Sequence, residues 1–412
     1  MQSTLPLSAS ATSSAAACTP SPQLPVSPGA LLAAFSTIPD PRGRQGTRFP
    51  LPAILALAVA AILTNHLSIL AIAEWGADQC HELLRLLGFP KGVTPHQSTL
   101  QRLFARLDPD QLSGALSNYF TPSTATAQLP RASQAVAIDG KAQRGRLAFG
   151  SSGCPVHALI AYLHQQGVVL AQEPIDKDEQ TDKAEAELTV APKLVRRVNW
   201  RGRVLTGDAL FCQRQLCQQV LDAGGDYLLL VKQNQPALYE DIRLLFDPPS
   251  PTLPLDDQRE ATTVEHGHGR HKETGHLIAS TDLVGYSDWP GLGQVFRWER
   301  TWQERGQSSQ EVHYGITSLP PQIADAGQLL ELKRGHWEIE NGLHYAKDVT
   351  LGEDRSLVHV GQGPSIMGML RDLCLSLLHQ VGCRTIARRL RYHSRHPQEV
   401  VALIINNHFQ NA

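Results

Sequence analysis

The chain has 412 residues, 42% hydrophobic and 18% charged, which allows two or three domains with large cores and excludes wholesale disorder and fibrous repeats. Lys and Arg number 37 and Asp and Glu 39, so the net charge of −2 does not by itself indicate a polyanionic partner. The seven cysteines include no Cys-x-x-Cys pair, and we expect reduced thiols of a cytoplasmic protein rather than a disulfide framework.

The amino-terminal part of the chain raises two questions of location. Residues 1–29 are rich in Ser, Ala, Thr and Pro and are expected to form a disordered tail; the first basic residue is Arg42, so no secretory signal is predicted. Residues 51–73 carry no charge and are long enough to span a bilayer. Asn65 and His66 interrupt this run, which favours one or two buried core helices over a membrane span.

The first third of the chain is predicted to be helical. Residues 30–120 contain Leu at helical spacing and plausible helix starts, and we expect a small helical module. The Thr, Ser and Pro content of residues 121–130 is typical of a linker.

The pattern then changes to alternating strands and helices. The predicted order is β β β α β α β α, at residues 134–139, 157–163, 167–175, 181–198, 203–210, 212–225, 226–232 and 235–246. This order predicts an α/β fold with a mixed sheet. Residues 249–325 break the rhythm and are expected to form a mostly β insertion, after which a helix runs from about residue 324 to 349. A helical region is predicted at 363–408, and the domain division places a carboxy-terminal tail at 396–412.

Three carboxylates lie at distinctive places in this order. Asp139 ends the first predicted strand, Asp208 ends the fourth, and Glu340 lies on the helix after the insertion. Strands 1 and 4 of such a sheet can be neighbours, which would bring the two aspartates together, and a late helix can add the glutamate. Clustered carboxylates repel one another unless cations neutralise them. Two Mg²⁺ or Mn²⁺ ions held by these three groups would suit phosphodiester chemistry.

The helix spacing predicts which side chains accompany Glu340. His336, Glu340, His344 and Lys347 are spaced 4, 4 and 3, so on an α-helix they share one stripe. A lysine on that stripe would suit a phosphate held near the metal site. A mixed-charge surface stripe is the alternative.

Four segments carry a resemblance. They are FSTIPDPRGRQGTRFPL at 35–51, AIDGKAQRG at 137–145, VLTGDALFCQRQLCQQVLDAGGDYLLLVKQNQ at 204–235 and RGHWEIENGLHYAKDVTLGEDRS at 334–356. Through them, residues 30–395 resemble insertion-sequence DDE transposases of the H-repeat-associated group. The resemblance implies an RNase H-like catalytic domain at 131–395, interrupted by the β-rich insertion. It also implies that residues 30–120 form the associated amino-terminal domain, which is expected to bind DNA.

The last of these segments resembles the motif Tyr-x2-Arg-x3-Glu-x6-Lys of related transposases. Glu340 then matches the catalytic glutamate and Lys347 the lysine. His336 stands in place of the arginine and Lys333 in place of the tyrosine. In related transposases these two positions are expected to contact phosphate, so both contacts are altered here. His336 or the neighbouring Arg334 would have to replace them.

Two further stretches were weighed as metal sites. Residues 176–187 hold six acids and two bases, and we expect a solvated helix start there. The histidine-rich stretch 265–276 has no nearby cysteine, and its glycines favour a hairpin or a DNA-facing loop over a zinc site.

Basic clusters provide the nucleic-acid signal that the net charge lacks. Residues 193–203 and 384–395 each hold five bases and no acid, and further bases follow Asp139. A solubilising surface is the alternative for each cluster. The candidate DNA-binding residues are Lys141, Arg144, Arg196, Arg197, Arg334, His336, Arg388 and Arg389.

Together these observations predict a cytoplasmic DNA transposase that acts on double-stranded DNA. The expected DNA sites are the terminal inverted repeats of its element and a target, and no association with a membrane is expected. Paired ends make a homodimer on DNA the expected assembly, and Asp139, Asp208, Glu340 and Lys347 are the expected catalytic residues. A degenerate copy that binds DNA without transposing and a metal-dependent nuclease without strand transfer are the alternatives.

Overall fold

The computed structural model describes residues 29–43, 47–120, 134–143, 156–175, 182–247, 257–266, 272–304 and 307–406. The tail predicted at 1–29 therefore lies outside the described residues except for Gly29. The predicted linker at 121–130 and the candidate Arg144 also lie outside them.

The amino-terminal third is helical, as the sequence predicts. Its helices are α1 (Ala30–Ser36), α2 (Leu51–Leu63), α3 (Ile69–Asp78), α4 (His81–Leu86), α5 (Gln97–Phe104) and α6 (Pro109–Phe120). Ser68 caps α3 by accepting a hydrogen bond from the Ala71 amide.

The uncharged run at 51–73 forms two core helices. Every residue of α2 except Pro52 is buried, so the helix has no solvent-exposed polar face. It ends because Asn65 adopts a left-handed conformation, φ 71°, that closes the last turn. None of the helices in the described ranges is long and apolar enough to cross a membrane.

The α/β region contains the predicted elements in the predicted order. They are β1 (Ala135–Gln143), β2 (Val156–Leu163), β3 (Val168–Ile175), α7 (Lys183–Arg197), β4 (Val204–Gly207), α8 (Arg214–Asp222), β5 (Asp226–Val231) and α9 (Pro236–Phe246). Strands β1 to β3 form an antiparallel meander, and β4 and β5 join β1 in parallel. The strand order 3-2-1-4-5 of this mixed sheet, flanked by helices, is the RNase H-like fold that the resemblance implies.

The insertion is β-rich, and it continues the same sheet. Its strands are β6 (Arg259–His266), β7 (Lys272–Ser280), β8 (Gln294–Glu304) and β9 (Gln307–Thr317). Because β9 pairs antiparallel with β5, the sheet has nine strands in the order β3-β2-β1-β4-β5-β9-β8-β7-β6.

The single helix expected from 324 to 349 is not formed. Helix α10 (Ala326–Gly335), which begins with a capping box of Asp325 and Gln328, ends before Glu340. Two π-helical segments follow, Ile339–His344 and Ala346–Thr350. We call residues 336–350 the glutamate segment. Its wider turns remove the 3.6-residue spacing on which the predicted stripe depended.

The carboxy-terminal helices close the structure. They are α11 (Gly363–Gln380), α12 (Ile386–His393) and α13 (Pro397–Asn406). Helix α13 lies within the helical region predicted at 363–408. It packs on α1 and α2 and buries Val400, Val401, Leu403 and Ile404, so residues 397–406 of the expected tail are helical. Helix α11 packs on both β3 and α2, so the helical module and the sheet share one hydrophobic core.

Candidate active site

The pairing of β1 with β4 brings the two predicted aspartates together. The strands run parallel, with Ala135 opposite Val204 and Ala137 opposite Thr206. Extending this register by two residues places Asp139 beside Asp208, and neighbouring strands lie about 4.8 Å apart. The expected meeting of the two strand ends therefore follows directly from the topology.

Local hydrogen bonds hold both aspartates. Asp139 Oδ1 accepts from the Gly140 amide at 2.9 Å, and Asp208 caps a short 3₁₀ turn by accepting from the Leu210 amide at 2.9 Å. Burial raises the pKa of Asp139 to about 7, and the negative charges of Glu187 and Glu340 add to this rise. Burial among neighbouring groups raises the pKa of Asp208 as well, although the residue is exposed to solvent.

Glu340 reaches the same site from the glutamate segment. Its side chain is exposed, and its charge acts on Asp139. Two contacts fix the segment against β1: His344 Nδ1 lies 3.5 Å from Asp139 Oδ2, and Lys141 pairs with Asp348. Burial lowers the pKa of His344 to about 3, so this contact is made by a neutral imidazole. The segment that carries Glu340 therefore docks at the end of β1.

Lys347 does not lie on the stripe that the sequence predicted. Its side chain is 2% exposed, and its ammonium lies 2.8 Å from Asp372 Oδ1 and 3.6 Å from Glu353 Oε2. Arg371 lies beside the same Glu353, which gives a buried network of two cations and two anions between the glutamate segment and α11. In this conformation the Lys347 ammonium is not available to a phosphate.

His336 also faces inward. The Thr206 hydroxyl on β4 lies 2.7 Å from His164 Nε2 and 3.3 Å from His336 Nδ1. Burial lowers the pKa of His336 to about 3, so it has no charge with which to replace the missing arginine. Lys333, at the tyrosine position, is buried over the Trp298 ring with its nitrogen 4.4 Å from the ring centre. Burial lowers its pKa to about 8.

The remaining basic candidates divide by exposure. Arg196 and Arg388 are exposed, Arg334 is half-buried, and the Arg389 guanidinium lies 5.3 Å from the centre of the Tyr392 ring.

The other basic candidates are engaged within the fold. Arg197 pairs with the fully buried Glu173 and lies 2.9 Å from Asp110, and Lys141 is held by Asp348. These contacts tie α7 to the helical module and β1 to the glutamate segment. Trp200 is buried and donates to the Val195 carbonyl, so it belongs to the core.

Sequence reasoning missed one buried carboxylate near Asp139. Glu187 was expected on a solvated helix start, but it is only 4% exposed. Its carboxylate lies against Gly140, where a Cβ would overlap it, and its charge contributes to the raised pKa of Asp139. The acid-rich context of residues 176–187 conceals this, because nothing in the sequence distinguishes Glu187 from the other five acids of that stretch.

The donor set fits a divalent cation in its chemistry. Carboxylate oxygens are hard ligands, and Mg²⁺ is usually held by one or two of them together with water and substrate phosphates. Among the residues that the structure describes, no three His, Cys, Asp or Glu side chains lie close enough to enclose one ion. The buried Glu187 Oε1 near Asp139 pairs with the Lys183 ammonium at 3.3 Å. Of the four histidines in the stretch 265–276, only His276 has a described side chain, and it pairs with Glu260 at 3.0 Å.

Comparison with known proteins places this geometry in a family context. A model described as "Transposase DDE domain" matches residues 130–377, and one described as "DDE_Tnp_1-associated" matches residues 32–120. The chain is 26% identical to "Putative transposase YncI" of Escherichia coli O157:H7, over 86% of this chain and 88% of the relative. It is 24% identical to "H repeat-associated putative transposase YhhI" of Escherichia coli K12, over 84% and 90%.

Among solved structures, a piggyBac transposase synaptic complex with hairpin DNA aligns at 12% identity with a TM-score of 0.40. The alignment covers 90% of this chain and 76% of that chain.

Proposed function

Because the chain belongs to the DDE transposase family, we propose that it cuts DNA at the ends of its own element and joins those ends to target DNA. The observation that carries this proposal is the β1–β4 register, which sets Asp139 beside Asp208 where the glutamate segment docks. In this proposal the protein works in the cytoplasm as a homodimer on double-stranded DNA.

Asp139, Asp208 and Glu340 are the proposed ligands of two Mg²⁺ or Mn²⁺ ions. Such ions, when bound, activate the attacking oxygen and stabilise the leaving oxygen of the phosphodiester. The backbone amides of Gly140 and Leu210 orient the two aspartates. The two segment contacts, His344 with Asp139 and Lys141 with Asp348, hold Glu340 at the site.

Each reaction then needs one incoming oxygen and one leaving oxygen. Water attacks the phosphodiester at the element end and releases a 3′-hydroxyl. That hydroxyl attacks the target strand in line, so one phosphodiester forms as another breaks. The exposed Arg196 and Arg388 are proposed to contact DNA backbone phosphates.

The test uses purified protein, Mg²⁺ and a plasmid carrying the chromosomal segments that flank the gene. Wild type is expected to give nicked and joined products, and Asp139→Asn neither, while its binding to the end fragment stays within about twofold. Asp222→Asn, the same change on the exposed face of α8, serves as the control. Cleavage by Asp139→Asn at the wild-type rate would overturn the assignment. Nicks without joined products from wild type would indicate a nuclease, and binding without nicks a degenerate copy.

A further inference from the structure

Arg300 connects the β-rich insertion to the glutamate segment. It lies on β8, and its guanidinium carbon is 5.1 Å from the centre of the Trp302 ring on the same strand. The same carbon is 5.3 Å from the centre of the Trp337 ring, which belongs to the glutamate segment. A cation at this distance from an indole is attracted by the charge distribution of the ring. One arginine therefore lies against aromatic rings of both parts of the molecule.

A carboxylate fixes the orientation of this guanidinium. Arg300 Nε donates to Glu273 Oε1 at 2.6 Å, and Nη2 donates to Oε2 at 2.8 Å. Glu273 lies on β7, which pairs antiparallel with β8. A bidentate pair of this kind sets the plane of the guanidinium as well as its position. The insertion thus presents Arg300 to Trp337 in a defined orientation.

Trp337 is joined to Glu340 through the backbone. The Trp337 carbonyl accepts hydrogen bonds from the amides of Glu340, at 3.1 Å, and of Asn341, at 3.0 Å. The position of Trp337 therefore sets the start of the turn that carries the Glu340 carboxylate. Trp337 is 42% exposed, so burial in the core does not by itself fix its ring. The contact with Arg300 gives this exposed ring a fixed neighbour.

Glu340 is thus held from both sides along the chain. Two contacts with β1 hold the segment after Glu340. Before Glu340, His336 lies against Thr206 on β4, and Trp337 lies against Arg300. A catalytic group has to be held within a fraction of an ångström by the residues around it. One of the holding contacts comes from the insertion rather than from the catalytic sheet.

We propose that Arg300 is a positioning residue, which holds Trp337 against the insertion and thereby sets the place of the Glu340 carboxylate at the site. This inference rests on the proposed function, since it assigns Glu340 its role there. It gives the insertion a part in the reaction, although none of the three predicted carboxylates belongs to the insertion.

The test compares Arg300→Gln with Arg297→Gln in the full chain. Arg297 lies on the same strand and pairs with Asp247 and Glu299, but its side chain projects from the opposite face of the sheet. Arg300→Gln is expected to slow single-turnover cleavage of end DNA by about tenfold or more, because small displacements of a catalytic group are costly. Its affinity for that DNA should stay within about twofold, because the contact acts on the reacting group rather than on binding. Arg297→Gln should cleave at the wild-type rate.

Hydrogen exchange of the protein without DNA follows the segment independently of activity. Arg300→Gln should speed amide exchange in peptides covering residues 336–343, and Arg297→Gln should not. Arg300→Lys keeps the charge but cannot make the bidentate pair while lying between two rings, so it should recover only part of the lost rate. The double variant Arg300→Gln/Trp337→Leu should be no slower than either single variant, since both changes break one contact.

The outcomes separate this inference from the proposed function. Wild-type rate and wild-type exchange in Arg300→Gln would refute the inference, and so would additive losses in the double variant. Weaker DNA affinity with an unchanged cleavage rate would also refute it, because Arg300 would then be a DNA contact. Should Arg300→Gln fail to fold, Trp337→Leu changes only an exposed ring, and unchanged rate and exchange in that variant would refute the inference. If wild type itself cleaves no end DNA, the proposed function fails, and the exchange comparison still decides whether Arg300 holds the segment.

Discussion

Replacing Lys347 by methionine tests whether this lysine is a buried structural cation or a phosphate contact. The Lys347 ammonium lies 2.8 Å from Asp372 and 3.6 Å from Glu353, and all three side chains are 2% exposed or less. At an effective dielectric constant of about 20, attraction at the shorter distance is about 6 kcal/mol before desolvation. Removing one partner of a buried pair typically costs about 3–5 kcal/mol, because the other charge stays buried. We expect Lys347→Met to lower the free energy of unfolding by that amount.

The loss of stability in Lys347→Met is expected to depend on pH. Burial raises the pKa of Asp372 to about 6, and Lys347 opposes the rise. Without Lys347 the folded-state pKa rises further above the unfolded value of about 4. A carboxyl group whose pKa is higher in the folded than in the unfolded protein stabilises the fold at pH values below its pKa in the unfolded protein. That stabilisation is lost as the pH rises through its pKa in the folded protein. The deficit of Lys347→Met relative to wild type should therefore be smaller at pH 5 than at pH 8.

Urea unfolding followed by circular dichroism measures both effects. Lys91→Met, at an exposed position, is the control and should unfold like wild type. The double variant Lys347→Met/Asp372→Leu removes both charges and should recover most of the lost stability. A Lys347→Met protein that unfolds within about 1 kcal/mol of wild type yet has lost DNA cleavage would refute this reasoning and favour the phosphate contact.

Three further changes test other parts of the structure. Arg388→Ala should weaken DNA binding equally for all sequences and reduce the slope of log affinity against log salt by about one in a filter-binding titration, whereas a sequence-dependent loss would count against a phosphate contact. Arg197→Ala should instead lower the free energy of unfolding by about 1–3 kcal/mol, because it leaves the buried Glu173 with one cation fewer, and an unchanged urea midpoint would contradict this. Gly140→Ala should destabilise the fold by about 1–3 kcal/mol through overlap with Glu187, and a double-mutant cycle with Glu187→Ala should show the penalty relieved; additive losses would argue against the contact.

The elements that the sequence predicts well are those fixed by local pattern. The strand and helix order from β1 to α9 follows from alternating apolar runs and their turns, and the uncharged run at 51–73 becomes core helices because Asn65 ends the first of them. The meeting of Asp139 and Asp208 also follows, since parallel strands end at the same edge of the sheet.

The features that the sequence does not predict depend on distant partners. The π-helical turns around Glu340 place Lys347 against Asp372 on α11, a contact that no helical periodicity contains. The sequence predicts that Arg197 contacts DNA, but in the structure it pairs with Glu173 on β3. The sequence does not distinguish Glu187 from its neighbouring acids, and only the structure shows its contact with Gly140.

The central claim, that the ends of β1 and β4 hold the divalent cations of a DNA-cleaving site, is tested most directly by locating the metal. Crystals of the full chain grown with Mn²⁺ and an end-DNA duplex would be measured at a wavelength where manganese scatters anomalously. Anomalous peaks within ligand distance of both Asp139 and Asp208, with Glu340 facing the scissile phosphate, are the predicted result. Manganese bound to other side chains, with the DNA cleaved and the two aspartates free of metal, would contradict the account.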